Sequence, residues 1–255
     1  MPAAPGTPIW IDVGSSDVEA TKAFYTQLFG WTASVSPEPE ARGYTLFSKE
    51  GKTVAAVGPL FNEAQPPAWN TYLASEDVEE DAAEVEHEGG QVLVPPMDVL
   101  SHGRMAVFTD PTGAAISVWQ AGGMEGAELT RVPGSLTWNE LATRDVTVAK
   151  EFYSTVFNLT ARDIEGPTPY TVLQVGEQAV AGMYPLDDTV PDDVPSYWTC
   201  YFEVEDCDAA VATAQQLGAT VQVPATDTPA GRYAMITDPQ GATFGVIRSN
   251  PDYAP

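Results

Sequence analysis

The stretch Trp10–Tyr25, WIDVGSSDVEATKAFY, returns as Trp138–Tyr153, WNELATRDVTVAKEFY. Trp10 and Trp138, Asp17 and Asp145, Phe24 and Phe152, and Tyr25 and Tyr153 each stand 128 positions apart, with an acidic residue, Asp12 or Glu140, two places after the Trp. A recurrence of this kind is an internal repeat. In the first copy Ile9, Ile11 and Val13 alternate with Trp10, Asp12 and Gly14, the period of a strand with one apolar face. Asp17 then predicts a helix start, its carboxylate meeting the free amides of the first turn, and Gly30 supplies a left-handed stop. Between them Ala20, Phe24 and Leu28 form the expected apolar stripe. The second copy repeats the pattern with Asp145 as cap, Val148, Phe152 and Val156 as stripe and Asn158 as stop.

Working outward, Tyr44 to Ser48 with Thr53 to Val57, and Tyr170 to Val175 with Ala179 to Tyr184, read as hairpins. The Pro-rich connectors Asn62 to Pro67 and Asp187 to Pro195 fall outside regular structure. A second strand-to-helix unit opens at Trp69 and at Trp198, with Tyr72 and Tyr201, Asp77 and Asp206, and Gly89 and Gly218 offset by 129. Each half therefore holds two βα units with hairpin strands after them. Each half closes on an Asp-Pro-x-Gly turn, Asp110 to Gly113 and Asp238 to Gly241, and a last strand. Ala121 to Pro133 reads as a linker without periodicity.

With 36 acidic against 11 basic residues among 255, the formal net charge is −25, which excludes nucleic acid and anionic membrane surfaces as expected partners. The start MPAAPGTPIWIDV has neither a basic segment nor a long apolar run, so a cytoplasmic protein without a membrane anchor is expected. Cys200 and Cys207, the two cysteines, are expected to be reduced and packed.

The ordered recurrence of strand, capped helix with a Phe-Tyr pair, hairpin strands and Asp-Pro-x-Gly resembles the vicinal oxygen chelate superfamily of glyoxalases, bleomycin-resistance proteins and extradiol dioxygenases. The tandem arrangement is similar to bacterial members of the glyoxalase-like or hydroxylase-like type. The resemblance implies an α+β fold of two tandem domains, 8–120 and 134–248 about a linker 121–133, each of two βαβββ modules whose curled mixed sheets form a cleft. It also implies a divalent metal in the cleft of catalytic members. A His or Gln is expected on the first strand, where this chain has Trp10 and Trp138; a Glu on the last strand, where it has Ser117 and Gly245; and a His or Glu opening the second unit, where it has Asn70 and Thr199. None of the six is a good ligand for a divalent ion. The sequence therefore predicts no metal and no cofactor at these positions.

What remains in the cleft is aromatic and acidic. Trp10, Trp138, Tyr72, Tyr201 and Trp119 fall on cleft-facing positions, where they either stack on a flat organic ligand or fill the space themselves. Asp12 and Glu140 share that face and are candidate catalytic bases or ligand contacts; alternatively they pair with Arg104 and Arg232, which occupy matching positions. Trp69 and Trp198, after the connectors, either join them or pack under a loop. His87 is expected on the solvated face of its helix, while His102 sits in a loop from which it could reach a ligand. The leading expectation is a protein that binds a hydrophobic, aromatic small molecule without a metal, for sequestration or a metal-independent step, and that is a monomer because its halves pair internally. A metal-dependent lyase, isomerase or oxygenase, drawing on Asp12, Glu140, His102 and Asp98, is the alternative. A third possibility is a structural module with a filled cleft.

Overall fold

A computed structural model describes residues 3–62, 65–166, 168–187 and 190–253. The connector expectations fall partly on 63, 64, 188 and 189, outside the described residues. The first half runs β1 (Pro8–Ser15), α1 (Val18–Phe29), β2 (Thr32–Val35), β3 (Thr45–Lys49) and β4 (Lys52–Pro59). It continues β5 (Ala68–Ser75), α2 (Val78–His87), β6 (Gln91–Val99), β7 (Gly103–Thr109) and β8 (Ala115–Ala121). The second half repeats this as β9 (Leu136–Thr143), α3 (Val146–Phe157), β10 (Thr160–Ile164), β11 (Tyr170–Val175) and β12 (Gln178–Pro185). Then come β13 (Tyr197–Glu203), α4 (Cys207–Gln216), β14 (Thr220–Thr228), β15 (Gly231–Thr237) and β16 (Thr243–Ser249). Each half is thus two βαβββ modules.

The modules of a half share one open mixed sheet of eight strands, ordered β2-β3-β4-β1-β5-β8-β7-β6 and β10-β11-β12-β9-β13-β16-β15-β14. The two module-opening strands lie antiparallel at its centre, pairing Asp12 with Asn70 and Glu140 with Thr199. A register shift between Pro8 and Trp10 interrupts the alternation, so Ile9 packs with Trp10 instead of joining Ile11 and Val13 beneath the helix.

The helices start where the sequence places them. Asp17, Asp77, Asp145 and Asp206 each accept a first-turn amide, and Gly30 and Asn158 take left-handed conformations at the far ends of α1 and α3. The buried stripes sit slightly round from the predicted ones: Thr21, Phe24, Tyr25 and Phe29 in α1, and Ala149, Phe152, Tyr153 and Phe157 in α3. The tyrosines are drawn inward because their hydroxyls have buried partners.

Those partners cross between halves. The helix-bearing faces of the two sheets meet in two clusters: Ile11, Phe24, Tyr25 and Phe47 pack with Phe202, Ile236 and Phe244, and Phe108 and Ile116 pack with Phe152, Tyr153 and Leu173. Tyr25 donates to Asp238 Oδ2 at 2.9 Å, and Tyr153 donates to Asp110 Oδ2 at 3.0 Å. Trp69 and Trp198, in the core instead of under loops, donate their indole N–H to the Tyr25 and Tyr153 hydroxyls at 2.8 and 2.7 Å. The Asp-Pro-x-Gly turns therefore do more than reverse the chain. Oδ1 of Asp238 accepts the amides of Gln240, Gly241 and Ala242, leaving Oδ2 for the other half. Cys200 and Cys207 are free and buried in the same core.

Candidate functional site

With the helix-bearing faces joined, each sheet has a second, helix-free face. In the first half this face carries Trp10 and Asp12 from β1, Tyr72 and Asn70 from β5, Tyr44 beside β3, Ser117 and Trp119 from β8, and Met105 from β7. Strand alternation explains the selection: Trp10 pairs with Tyr72 and Asp12 with Asn70, while Tyr72 pairs with Ser117 on its other side. Trp10, Tyr72, Met105 and Trp119 are all under 8% exposed and form one cluster with Ala56.

Asp12, 7% exposed, is the polar centre of that cluster. Its Oδ2 accepts from the Tyr44 hydroxyl at 2.8 Å and the Tyr72 hydroxyl at 3.0 Å, and its Oδ1 accepts from the Asn70 amide at 2.8 Å. Trp10 in turn donates its indole N–H to the Tyr44 oxygen at 3.2 Å. Among the described residues no cation takes part. Burial raises the Asp12 pKa, opposed in order by the bonds from Asn70, Tyr44 and Tyr72. Burial, and then the neighbouring carboxylate, hold Tyr44 and Tyr72 well above the ordinary phenol range. The group is a carboxylate held by neutral donors.

The second half repeats the device with changed parts. Trp138 donates to the Tyr170 hydroxyl at 2.9 Å, and Tyr170 donates to Glu140 Oε1 at 2.6 Å. The Tyr201 hydroxyl approaches the same carboxylate, whose pKa burial again raises. Thr199 replaces Asn70, and Gly182 lies opposite Glu140 where Ala56 lies opposite Asp12. That glycine is required: a Cβ on Gly182 would stand 1.8 Å from the Tyr170 hydroxyl. Tyr184 and Tyr233, in the places of Gly58 and Met105, bring two more phenols within electrostatic range of Glu140. Trp138, Glu140, Tyr170, Tyr184 and Tyr233 are all partly exposed, with Tyr201 buried among them.

The first face is closed partly by the linker. Ala121 to Pro133 is no loose tether: the amides of Gly122 and Met124 donate to the His102 carbonyl, Ala127 donates to Ile9, and Glu128 bonds Thr53 through both backbone and side chain. Trp119 donates its indole N–H to the Met124 carbonyl at 2.8 Å, and Met124 and Ala127 pack on the Trp10 cluster. At Gly126 an added Cβ would come within 2.6 Å of the Ile9 carbonyl oxygen.

The remaining sequence candidates fall elsewhere. Arg104 does not pair with Asp12; it is held by Glu79 and Asp98. Likewise Arg232 binds Asp208 and Asp227 and leaves Glu140 alone. Being long and charged, these side chains reach the rim, where water and nearby carboxylates already serve their guanidiniums. His102 is exposed in a turn and enters the structure through its backbone, while Asp98 is spent on Arg104, so Asp12, Glu140, His102 and Asp98 are not brought together. His87 is exposed, as expected.

The six metal positions have other occupations. The Trp10 and Trp138 indoles donate to tyrosines, Asn70 donates to Asp12, Thr199 is buried opposite Glu140, Ser117 is buried beneath Tyr72, and the Tyr201 ring lies 2.1 Å from where a Gly245 Cβ would be. An indole N–H can only donate, and the neighbouring carboxylate already receives phenol protons, so this donor set does not fit a divalent ion. Among the described residues, one group of His, Cys, Asp or Glu side chains is close enough to share an ion: Glu84, His87 and Glu88, on the solvent side of α2. Sequence reasoning missed Tyr44, Tyr170, Tyr184 and Tyr233. Tyr44 and Tyr170 each precede or open a hairpin strand at matching places, which was the available signal.

Comparison with known proteins agrees with this architecture. Residues 8–118 and again 135–246 match the Glyoxalase/Bleomycin resistance protein/Dioxygenase superfamily. The chain belongs to that family. It is 45% identical to the anthracycline biosynthesis protein DnrV of Streptomyces peucetius, with 98% of this chain and 96% of the relative covered. It is 41% identical to the putative glyoxylase CFP32 of Mycobacterium tuberculosis over 96% of both chains. Among solved structures it resembles the Mn(II)-bound glyoxalase from Novosphingobium aromaticivorans, with a TM-score of 0.66 and 18% identity over 96% of this chain and 82% of that one. The 2,3-dioxygenase LapB from Pseudomonas sp. KL28 is similar too, at a TM-score of 0.67 and 16% identity over 99% of this chain and 97% of that one. At such identities these two share the fold alone. Among the described residues no helix is long and apolar enough to cross a membrane.

Proposed function

We propose that the protein binds a flat, hydrophobic aromatic small molecule on the helix-free face of a sheet, without a metal at the family's ligand positions. Trp138, Tyr201 and their neighbours supply stacking surface, and the Glu140 carboxylate fixes the orientation of the bound molecule. The observation that carries this reading is the partly open ring of aromatic side chains around Glu140, a carboxylate with neutral donors and no cation. Such a mix of apolar walls and a few convergent polar groups is what small-molecule sites present. Relatives named for anthracycline biosynthesis support the same ligand class, anthracyclines being fused-ring aromatic compounds. Binding serves either sequestration or a metal-independent step in which the carboxylate accepts a proton, the role proposed for Asp12 and Glu140. We take the working species to be a monomer, its halves paired internally.

The test is a fluorescence titration of the full chain, stripped with chelator, against a panel of fused-ring aromatic compounds. Saturable tryptophan quenching that is unchanged by the chelator and weakened at least tenfold in Trp138→Leu is the expected result. Quenching by no member of the panel, or binding that appears only when a divalent ion is restored, would overturn the proposal.

A further inference from the structure

The two carboxylate clusters differ by one hydrogen-bond donor. An ionised carboxylate has about four acceptor sites. Asp12 has three donors on it, from Tyr44, Tyr72 and Asn70. Glu140 accepts from Tyr170 and is approached by the Tyr201 hydroxyl, and opposite it stands Thr199, which has no amide and whose hydroxyl is not among the groups that act on the carboxylate. The side chain is also one methylene longer than Asp12, and Gly182, opposite it, leaves the room that the Tyr170 hydroxyl occupies. The donor is missing on the face that is partly open and present on the face that Met124 and Ala127 cover.

We propose that the bound molecule itself supplies the third donor, so that the ligand class is narrowed to aromatic compounds bearing a free hydroxyl, which donates to Glu140 in the place that Asn70 fills on Asp12. This rests on the aromatic-binding reading above. On this partly open face water can reach the carboxylate in the free chain; a bound aromatic displaces that water, and a ligand hydroxyl replaces it as donor whereas an ether oxygen sets a second acceptor against the carboxylate. Sites built to meet a hydroxyl reject the analogue lacking one far more strongly than apolar pockets discriminate size. On the first face the protein supplies this donor itself, through Asn70. Tyr184 and Tyr233, where the first half has Gly58 and Met105, line the approach to Glu140.

The experiment compares matched probes, 2-hydroxyanthraquinone with 2-methoxyanthraquinone and 2-naphthol with 2-methoxynaphthalene, by fluorescence titration of the full chain. The expected result is at least a tenfold preference for the hydroxyl member of each pair. Thr199→Asn, which copies the first half's own solution and is mild enough to keep the fold, is expected to reduce that preference to near unity while leaving the methoxy affinity within about threefold. Glu140→Leu is expected to do the same. Equal affinity within each pair in the native chain would overturn the hydroxyl assignment and leave the aromatic-binding reading standing. A preference that survives both substitutions would remove Glu140 from the recognition, and binding of no probe would fail the aromatic-binding reading itself.

Discussion

Asp12 shows what a carboxylate does when buried without a cation. Its folded pKa is raised, so the native state holds the proton to higher pH than the unfolded chain does. The associated stability is fully present below the ordinary carboxylate pKa and is lost as pH rises through the folded value. Asp12→Asn is therefore expected to flatten the fall in urea midpoint between pH 4 and pH 8, and an unchanged slope would show that Asp12 is not the group responsible. The second cluster has a tighter steric demand. Gly182→Ala places a methyl 1.8 Å from the Tyr170 hydroxyl, which must then leave Glu140, and the lost bond is expected to cost about 1–2 kcal/mol in denaturant unfolding. A neutral substitution would mean that the ring can shift without cost.

At the scale of elements the sequence is read most directly, because caps, stops and stripes are local. Asp17 and Gly30 bracket α1 as written, and strand alternation puts Trp10 and Asp12 on one face. What local pattern does not reveal is which strands become neighbours: Tyr44 reaches Asp12 across 32 positions and Tyr72 across 60, contacts set by sheet order. The arginine pairing failed for a related reason. Arg104 and Arg232 occupy matching places, but each finds a carboxylate on the nearest helix, Glu79 of α2 or Asp208 of α4, before it could reach the sheet centre. Helix α2 also carries Asp81, pushed up to about 6 chiefly by burial, opposed by the nearby Ser75 hydroxyl and with Asp77 and Glu80 adding repulsion. Because that folded pKa is raised, the cost of ionising Asp81 is present above about pH 6 and absent below about pH 4. Asp81→Asn is expected to raise Tm at pH 8 and leave it unchanged at pH 4, and a gain of equal size at both pH values would exclude ionisation as its origin.

The whole molecule is tied together by its core, not by its linker. Phe24 and Tyr25 of one half share a cluster with Phe202 and Phe244 of the other, and Tyr25 and Tyr153 each end on the opposite half's turn. Calorimetry is accordingly expected to show one transition with equal calorimetric and van't Hoff enthalpies. Tyr25→Phe or Tyr153→Phe should lower that single transition by about 1–3 kcal/mol, since Trp69 or Trp198 and an aspartate lose their partner. Two resolved transitions in either variant would show that the halves unfold separately.

The crossed tyrosine bonds bear on how a duplicated sequence can change. A substitution at Asp110 is felt by Tyr153 in the other copy, and one at Asp238 by Tyr25, so neither copy can drift at these positions without harming its twin. The helix-free faces carry no such mutual constraint, since among the described residues Asp12 and Glu140 are each served from their own half. The record of that freedom is in the chain itself. Tyr, Trp and Asp stand unchanged at the crossing positions of both copies, while Asn70 and Thr199, Met105 and Tyr233, and Gly58 and Tyr184 have parted. Reciprocal contact keeps the ancestral likeness on one side of each sheet and leaves the other side open to innovation.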